Sequence, residues 1–328
     1  MKNDIQIIDG RVMCIQRDTF YVKSDTGEHL AHLTGCLRDR EEIPVVGDFV
    51  KVYLDEYGSA SIFQILPRKS FFVRPDRKGH ADGYVKNMQE QPVIANYDYV
   101  FIITSLNSNF NVNRIARYAA ITTSGGGTPV VILTKADLAD NVNEYIEKVR
   151  IINETMDIIA VSSFTGEGIK QLQKYFLPGV TIALLGSSGA GKSTLINTLA
   201  GTEIMQVSEI RQGDSKGRHT TTHRQIIELN GVSLIDTPGM RELGMCDVGD
   251  AVDSTFEDIA KLIQGCKFSD CHHDTEPGCA IKNALDSGEL SEERWSMYCN
   301  LQNESNWAKG LKHKKMVEIA KKRRMFKG

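Results

Sequence analysis

The fold of the central part of this chain is decided by one stretch, Gly186-Ser187-Ser188-Gly189-Ala190-Gly191-Lys192-Ser193-Thr194. It has the spacing G-x-x-x-x-G-K-[ST], and it lies between an apolar strand-like run, 181–185, and a helix-like run, 193–199. In that order, backbone N–H groups converge at a helix N-terminus, where an anion is stabilised. The stretch predicts a phosphate-binding loop in an α/β domain, with Lys192 on the β- and γ-phosphates and Ser193 on Mg²⁺. A chance glycine-rich turn is the alternative.

Two further elements favour guanine over adenine. Thr134-Lys135-Ala136-Asp137 ends an apolar run and resembles the [NT]-K-x-D element of GTPases, in which the carboxylate accepts guanine N1–H and N2–H₂. Adenine would leave that carboxylate unpaired, which disfavours a phosphate-loop ATPase or small-molecule kinase. Ser162-Ser163, at the end of the next predicted strand, resembles the last base-contacting element.

Magnesium and the γ-phosphate have their own candidates. Asp236-Thr237-Pro238-Gly239 closes a short apolar run, from which a carboxylate reaches the Mg²⁺ shell and the Gly239 N–H meets the γ-phosphate. Thr220, Thr221 and Thr222 lie where a switch threonine closes over both groups. The sequence leaves open which of the three binds Mg²⁺.

The order of these elements is unusual. GTPases of the Ras type begin with the phosphate loop and end with the guanine elements, whereas here 134–137 and 162–163 precede 186–194. We therefore predict a circularly permuted domain, which forms the same pocket when the original termini lie close together. The permutation makes the loop after Asp236 the covalent start of the C-terminal region, so we expect loss of a γ-phosphate to act on that region directly.

The remaining domains are predicted from composition and pattern. Five short β segments (5–15, 19–23, 29–33, 48–54 and 61–66) predict a closed N-terminal barrel of the OB type, with a barrel used for protein docking as the alternative. We divide the chain into an OB-fold RNA-binding domain (1–68), a polar linker (69–95), the permuted α/β GTPase domain (96–250) and a mainly helical zinc-binding domain (251–328). A single helix is predicted at 252–263, and the strands at 224–229 and 233–235 are expected to be parallel.

The C-terminal domain contains a metal-ligand pattern. Cys266-x₄-Cys271-x-His273-x₅-Cys279 supplies three thiolates and one imidazole, the set of a closed structural zinc site. His272 competes for the imidazole position, and a group of free thiols is the alternative. The other cysteines are predicted to be small core residues: Cys14, Cys36, Cys246 and Cys299.

Charge is distributed unevenly. The chain of 328 residues carries a net charge of −3, but residues 309–328 hold nine basic side chains against Glu318 alone, a formal +8. A basic tail on an acidic body suggests a polyanion such as RNA, with a solvated basic helix as the alternative. No stretch is long and apolar enough for a membrane span, and the N-terminus lacks the apolar core of a signal peptide, so we expect a cytoplasmic protein without a membrane partner. Nothing in the sequence indicates an obligate dimer, and a monomer is expected.

The permuted order, the run G-x-x-x-G-R-H-T-T-T at 213–222, the five-strand region and the Cys/His cluster together resemble the ribosome small-subunit-dependent GTPase A family (RsgA, also called YjeQ) over essentially the whole chain. The resemblance implies an OB-fold, a permuted GTPase domain and one zinc ion held through His273. It also implies hydrolysis of GTP, with Mg²⁺, that is stimulated by the small ribosomal subunit. The protein would contact the rRNA of that subunit, take part in its late maturation and then be released from it.

One departure bears on catalysis. Met240 stands where Ras-like enzymes have a water-orienting glutamine, and a thioether cannot position the attacking water. The family pattern suggests His219 as the catalytic group, while an ordinary loop histidine is the alternative. The competing function is an rRNA-binding module that senses guanine nucleotides, including (p)ppGpp, with hydrolysis incidental.

Overall fold

The computed structural model describes residues 6–40, 42–75, 90–107, 109–205, 224–237 and 249–325, and for 74–75, 90–92 and 311–325 it describes the backbone only. Several predictions fall outside these residues. They concern the switch and catalytic candidates, the methionine in place of glutamine and one cysteine: His219, Thr220, Thr221, Thr222, Gly239, Met240 and Cys246.

Five strands form the predicted closed barrel. They are β1 (Gln6–Gln16), β2 (Thr19–Ser24), β3 (Gly27–Leu33), β4 (Phe49–Leu54) and β5 (Ala60–Ile65), in the cyclic order β1-β2-β3-β5-β4-β1. Side chains such as Val12, Val50 and Ile62 fill the interior of the barrel. Every second residue of a strand points inward, as expected for strands with one buried face. A short helix, α1 (Gly35–Asp39), follows β3. Cys36 on this helix is exposed, so its prediction as a core residue is wrong; the neighbouring Leu37 takes the inward position.

The segment predicted as a linker contains two strands, β6 (Phe71–Pro75) and β7 (Glu90–Ala95), which pair antiparallel. Phe72, Val93 and Ile94 are fully buried and pack into the core of the central domain. These short apolar groups stand at the two ends of a long polar stretch, whose composition dominated the sequence pattern.

The central domain is built on six strands. They are β8 (Tyr99–Ser105), β9 (Thr128–Thr134), β10 (Asp157–Val161), β11 (Thr181–Leu185), β12 (Gln225–Leu229) and β13 (Val232–Asp236), in the order β10-β9-β8-β11-β13-β12. The first five strands of this order are parallel, and β12 is antiparallel to β13, which corrects the prediction for that strand. The reason is a two-residue turn at Asn230 and Gly231, which both adopt positive φ (51° and 82°) as in a type I′ hairpin.

Helices cover both faces of the central sheet. α2 (Val112–Ser124) and α3 (Val142–Arg150) pack on one face, and α4 (Lys192–Ala200) packs on the other with the 3₁₀ segment 169–175. The sheet is thus buried on both sides, as parallel sheets of α/β proteins are.

The C-terminal region is helical. It consists of α5 (Gly249–Thr255), α6 (Glu257–Gln264), α7 (Ala280–Ser287) and α8 (Glu292–Met325). The single helix predicted at 252–263 is instead two, because Phe256 leaves helical geometry (ψ 53°) and turns its buried ring against Tyr298. α8 continues through most of the basic tail. Among the described residues, no helix has the length and apolar character needed to cross a membrane.

The barrel and the central sheet are joined. Cys14 at the end of β1 pairs with Gln225 of β12, which makes the barrel and the sheet continuous. The half-buried Arg11 guanidinium donates to Ser233 Oγ (3.1 Å), Thr181 Oγ1 (2.9 Å) and the Asn96 carbonyl (3.2 Å). The hairpin that follows residues 206–223 is therefore held against the barrel.

Candidate nucleotide-binding site and metal centre

The predicted nucleotide elements meet at one edge of the central sheet. Four parallel strands (β9, β10, β11 and β13) end there: residues 135–137, 162–163 and 186–191 follow the first three, and Asp236 is the last residue of β13. Ligands of open α/β sheets bind outside the carboxyl ends of the strands. The permuted order along the chain therefore still brings these elements together in space.

The phosphate loop approaches its neighbours closely. A Cβ on Gly186 would stand 2.4 Å from the Ile103 carbonyl oxygen, so only glycine fits at the end of β11. Gly189 and Gly191 have φ of 77° and 91°, and Gly191 caps α4 without a side-chain hydrogen bond. The N–H groups of the first turn thus have no capping side chain, which leaves an anion-binding helix start.

The other loop residues surround this start. Ala190 is buried, Ser188 and Ser193 are half-buried and Thr194 is exposed. Ser187 is 2% exposed, and its hydroxyl has no hydrogen-bond partner among the described residues.

Lys192 and Asp236 provide opposite charges beside the loop. The Lys192 ammonium donates to the carbonyls of Gly186 (2.7 Å) and Ser187 (3.2 Å). Burial lowers the pKa of Lys192, and the charge of Asp236 opposes this shift. Asp236 is 4% exposed; burial raises the pKa of its carboxyl, against the attraction of Lys192. A phosphate and a divalent cation would compensate the cost of burying these two charges.

Thr134 connects the guanine element to the phosphate loop. Its hydroxyl, in a residue only 3% exposed, donates to the Ala190 carbonyl at 2.6 Å. Lys135 then adopts φ 59°, and Ala136 is buried in the one-turn 3₁₀ segment 136–138. This turn carries Asp137 out to the surface.

Asp137 is oriented by the neighbouring loop. Ser162 is fully buried; its hydroxyl donates to Asp137 Oδ1 at 2.6 Å and accepts from the N–H groups of Phe164 (3.2 Å) and Thr165 (3.1 Å). Ser162 therefore positions the carboxylate, and half-buried Ser163 is the outer residue of the pair. The exposed carboxylate can accept the two adjacent N–H groups of a guanine edge.

Sequence reasoning did not assign a role to Thr237. Its buried hydroxyl donates to the Leu184 carbonyl at 2.5 Å, which fixes the chain immediately after Asp236 against β11. Its place inside the D-T-P-G element was the available signal.

The Cys/His cluster lies between α6 and α7. The ligand atoms of Cys266, Cys271, His273 and Cys279 all lie within 4.8 Å of one another. His273 Nδ1 is 3.5 Å from Cys266 Sγ and 3.6 Å from Cys279 Sγ. Tetrahedral zinc, with bonds of about 2.0–2.3 Å, separates its ligands by roughly 3.5–3.8 Å, so one ion fits with a small contraction. The cluster could thus hold a metal ion.

The local backbone explains why His273 is the histidine in the cluster. It adopts φ 64°, whereas His272 is exposed and donates its backbone N–H to Glu276. Glu276 also accepts from the N–H groups of Asp274 and Thr275, and these backbone hydrogen bonds lower its pKa to about 2. Cys279 caps α7 by accepting the Lys282 N–H at 3.4 Å.

This combination defines a circularly permuted phosphate-loop GTPase with an N-terminal barrel and a C-terminal Cys/His cluster. A profile of the family described as RsgA GTPase matches residues 65–246. The chain belongs to the RsgA GTPase family and is a GTP-hydrolysing enzyme.

Similar proteins and solved structures support the same family assignment. The chain is 40% identical over 299 residues to the small ribosomal subunit biogenesis GTPase RsgA 2 of Listeria monocytogenes, covering 90% of this chain and 83% of the relative. It is 41% identical to RsgA 2 of Lactiplantibacillus plantarum, covering 100% and 91%. The crystal structure of YjeQ from Thermotoga maritima matches with a TM-score of 0.66 at 27% identity, covering 92% of this chain and 99% of that one. YloQ, described as a circularly permuted GTPase, has the same fold (TM-score 0.63, 21% identity, 92% and 96% covered).

Proposed function

We propose that this enzyme binds the small ribosomal subunit in the GTP state and couples hydrolysis to late maturation of the subunit and to its own release. The observation that carries the GTP-binding part of the proposal is the junction of the two halves of the pocket: Thr134 holds the phosphate loop and Ser162 holds Asp137. The names of the relatives support the ribosomal part. Such a function belongs in the cytoplasm, and we expect a monomer.

In this proposal each element has a defined task. Thr134, Lys135, Ala136 and Asp137, with Ser162 and Ser163, bind guanine, and residues 186–194 hold the phosphates. Ser193 and Asp236, with one of Thr220, Thr221 and Thr222, would hold the Mg²⁺ that neutralises phosphate charge. The Gly239 N–H would donate a hydrogen bond to the γ-phosphate, and His219 would assist the attacking water in place of glutamine.

We propose that the Cys/His cluster binds one structural zinc ion. The donor set of three thiols and one imidazole leaves no open ligand position, so the ion would hold α6 and α7 together rather than take part in hydrolysis. Zinc matches soft thiolate ligands better than magnesium or calcium does.

The test is GTP hydrolysis by the full chain alone and with purified small subunits, with large subunits and ATP as controls. We expect slow turnover that only small subunits stimulate. A His219→Ala variant should lose that stimulation and keep its affinity for GTP. Intact GTP binding without stimulation would instead favour a nucleotide-sensing rRNA-binding module, which would also bind (p)ppGpp.

A further inference from the structure

Phe164 is an aromatic side chain without cover beside the base-recognition residues. It is 91% exposed, the most exposed of the large apolar side chains in the described part of the chain. It directly follows the Ser162-Ser163 pair. Single exposed aromatic rings are common on protein surfaces, but one that stands beside a ligand site can be stabilised when a ligand covers its face.

The backbone beneath this ring is well fixed. The Phe164 N–H donates to Ser162 Oγ at 3.2 Å, and the same oxygen donates to Asp137 at 2.6 Å. Two backbone hydrogen bonds, Ser162 N to the Glu167 carbonyl (3.0 Å) and Gly166 N to the Ser162 carbonyl (2.9 Å), close the loop. One hydroxyl thus joins the backbone of Phe164 to the carboxylate that reads the guanine edge.

We propose that Phe164 covers one face of the guanine base, so that Asp137 reads the edge of the base while Phe164 stacks on its ring. This inference rests on the proposed nucleotide site. A carboxylate alone selects hydrogen-bond donors but leaves the π-faces of the base in water. An aromatic ring at the same loop supplies the missing contact, and such stacking does not depend on the exocyclic groups of the base.

A macromolecular partner is the other possible cover for the ring. The shared Ser162 hydroxyl favours the nucleotide, because it makes the positions of Phe164 and Asp137 depend on each other.

The experiment measures binding of GDP, IDP and inorganic pyrophosphate, each with Mg²⁺, to the full chain by calorimetry. We expect Phe164→Ala to weaken GDP and IDP by the same factor, roughly 5- to 100-fold, and to leave pyrophosphate unchanged. Phe164→Trp should retain affinity for GDP. Addition of GDP should lower the tryptophan fluorescence of this variant more than that of the wild type. The matched control is Tyr57→Ala, which removes an 84% exposed aromatic from the barrel and should change none of these values.

The outcomes separate the two proposals. A wild-type protein that binds neither GDP nor GTP would refute the nucleotide site and the stacking together. Normal wild-type binding with unchanged GDP affinity in Phe164→Ala would refute stacking alone and assign the ring to a partner. Loss of pyrophosphate binding in that variant would show a general disruption of the site and also count against stacking.

Discussion

The bond between Thr134 and Ala190 makes a quantitative prediction, because it joins the guanine element to the phosphate loop through one buried hydroxyl. Thr134→Val keeps the shape of the side chain and removes the donor at 2.6 Å from the Ala190 carbonyl. A buried acceptor that loses its donor costs about 1–3 kcal/mol. We expect unfolding free energy to fall by about 1–2 kcal/mol and the Kd for GDP to rise about 5- to 10-fold, because the loop then rests in other conformations.

The assay combines urea unfolding with GDP calorimetry on the full chain. Thr122→Val is the matched control, since Thr122 is fully buried on α2 and its hydroxyl has no partner among the described residues. Removing an unpaired hydroxyl should leave stability equal or increased and GDP affinity unchanged. If Thr134→Val lowered stability but left GDP affinity at the wild-type value, the bond would support the fold only, and our reasoning about the pocket would be wrong.

Three further predictions concern charge and metal. Asp137→Asn replaces an acceptor by a donor facing the base, so we expect nucleotide preference to shift from GTP towards XTP, measured by competition; unchanged preference would remove Asp137 from base reading. Cys271→Ser, or a chelator, should release one zinc equivalent and reduce the helix signal in circular dichroism, and an equal zinc content in the variant would argue against the site. Burial raises the pKa of the Asp236 carboxyl above the ordinary value of 3.8. The free energy of unfolding of the nucleotide-free protein should therefore fall as pH rises through the window above 3.8, because the buried carboxyl then loses its proton. Binding of Mg²⁺, in contrast, needs the ionised carboxylate. Affinity for Mg·GDP should therefore fall more steeply as pH drops through that window in the wild type than in Asp236→Asn, where protonation of the phosphate alone remains.

Much of this fold could be predicted because its signals are local. The barrel strands alternate between buried and exposed residues, and the sequence of the phosphate loop is directly flanked by a recognisable strand and helix. The Cys/His spacing likewise fixes a compact cluster. The antiparallel orientation of β12 was also predictable, because Asn230-Gly231 is a typical hairpin turn sequence and a hairpin joins antiparallel strands.

Long-range pairings could not be predicted in the same way. β6 and β7 pair across the polar residues between them, and only their burial in the central core shows why they form. The hydrogen bonds of Arg11 join positions far apart in the chain, which no periodicity encodes. Ser162 was predicted to contact the base, and its role in orienting Asp137 follows only from the distance between the two side chains.

The packing of the C-terminal helices limits how hydrolysis could be transmitted to them. α5 packs on α2, and both contribute to one continuous buried cluster that includes Ala116, Val252 and Phe256. Arg294 donates to the carbonyls of Ile151 and Ile152 just beyond α3 and pairs with Asp258.

A second ion pair, Arg117 with Glu304 at 2.7 Å, joins α2 to α8. Swinging the whole C-terminal domain away would have to expose this cluster and break both arginine contacts, and close-packed interfaces resist such separation. The chain between Asp236 and Gly249 is thus attached at both ends to fixed structure. We therefore expect loss of the γ-phosphate to act first on that segment, while the C-terminal helices stay packed on α2 and α3; this narrows the expectation, drawn from the permutation, that the C-terminal region responds directly.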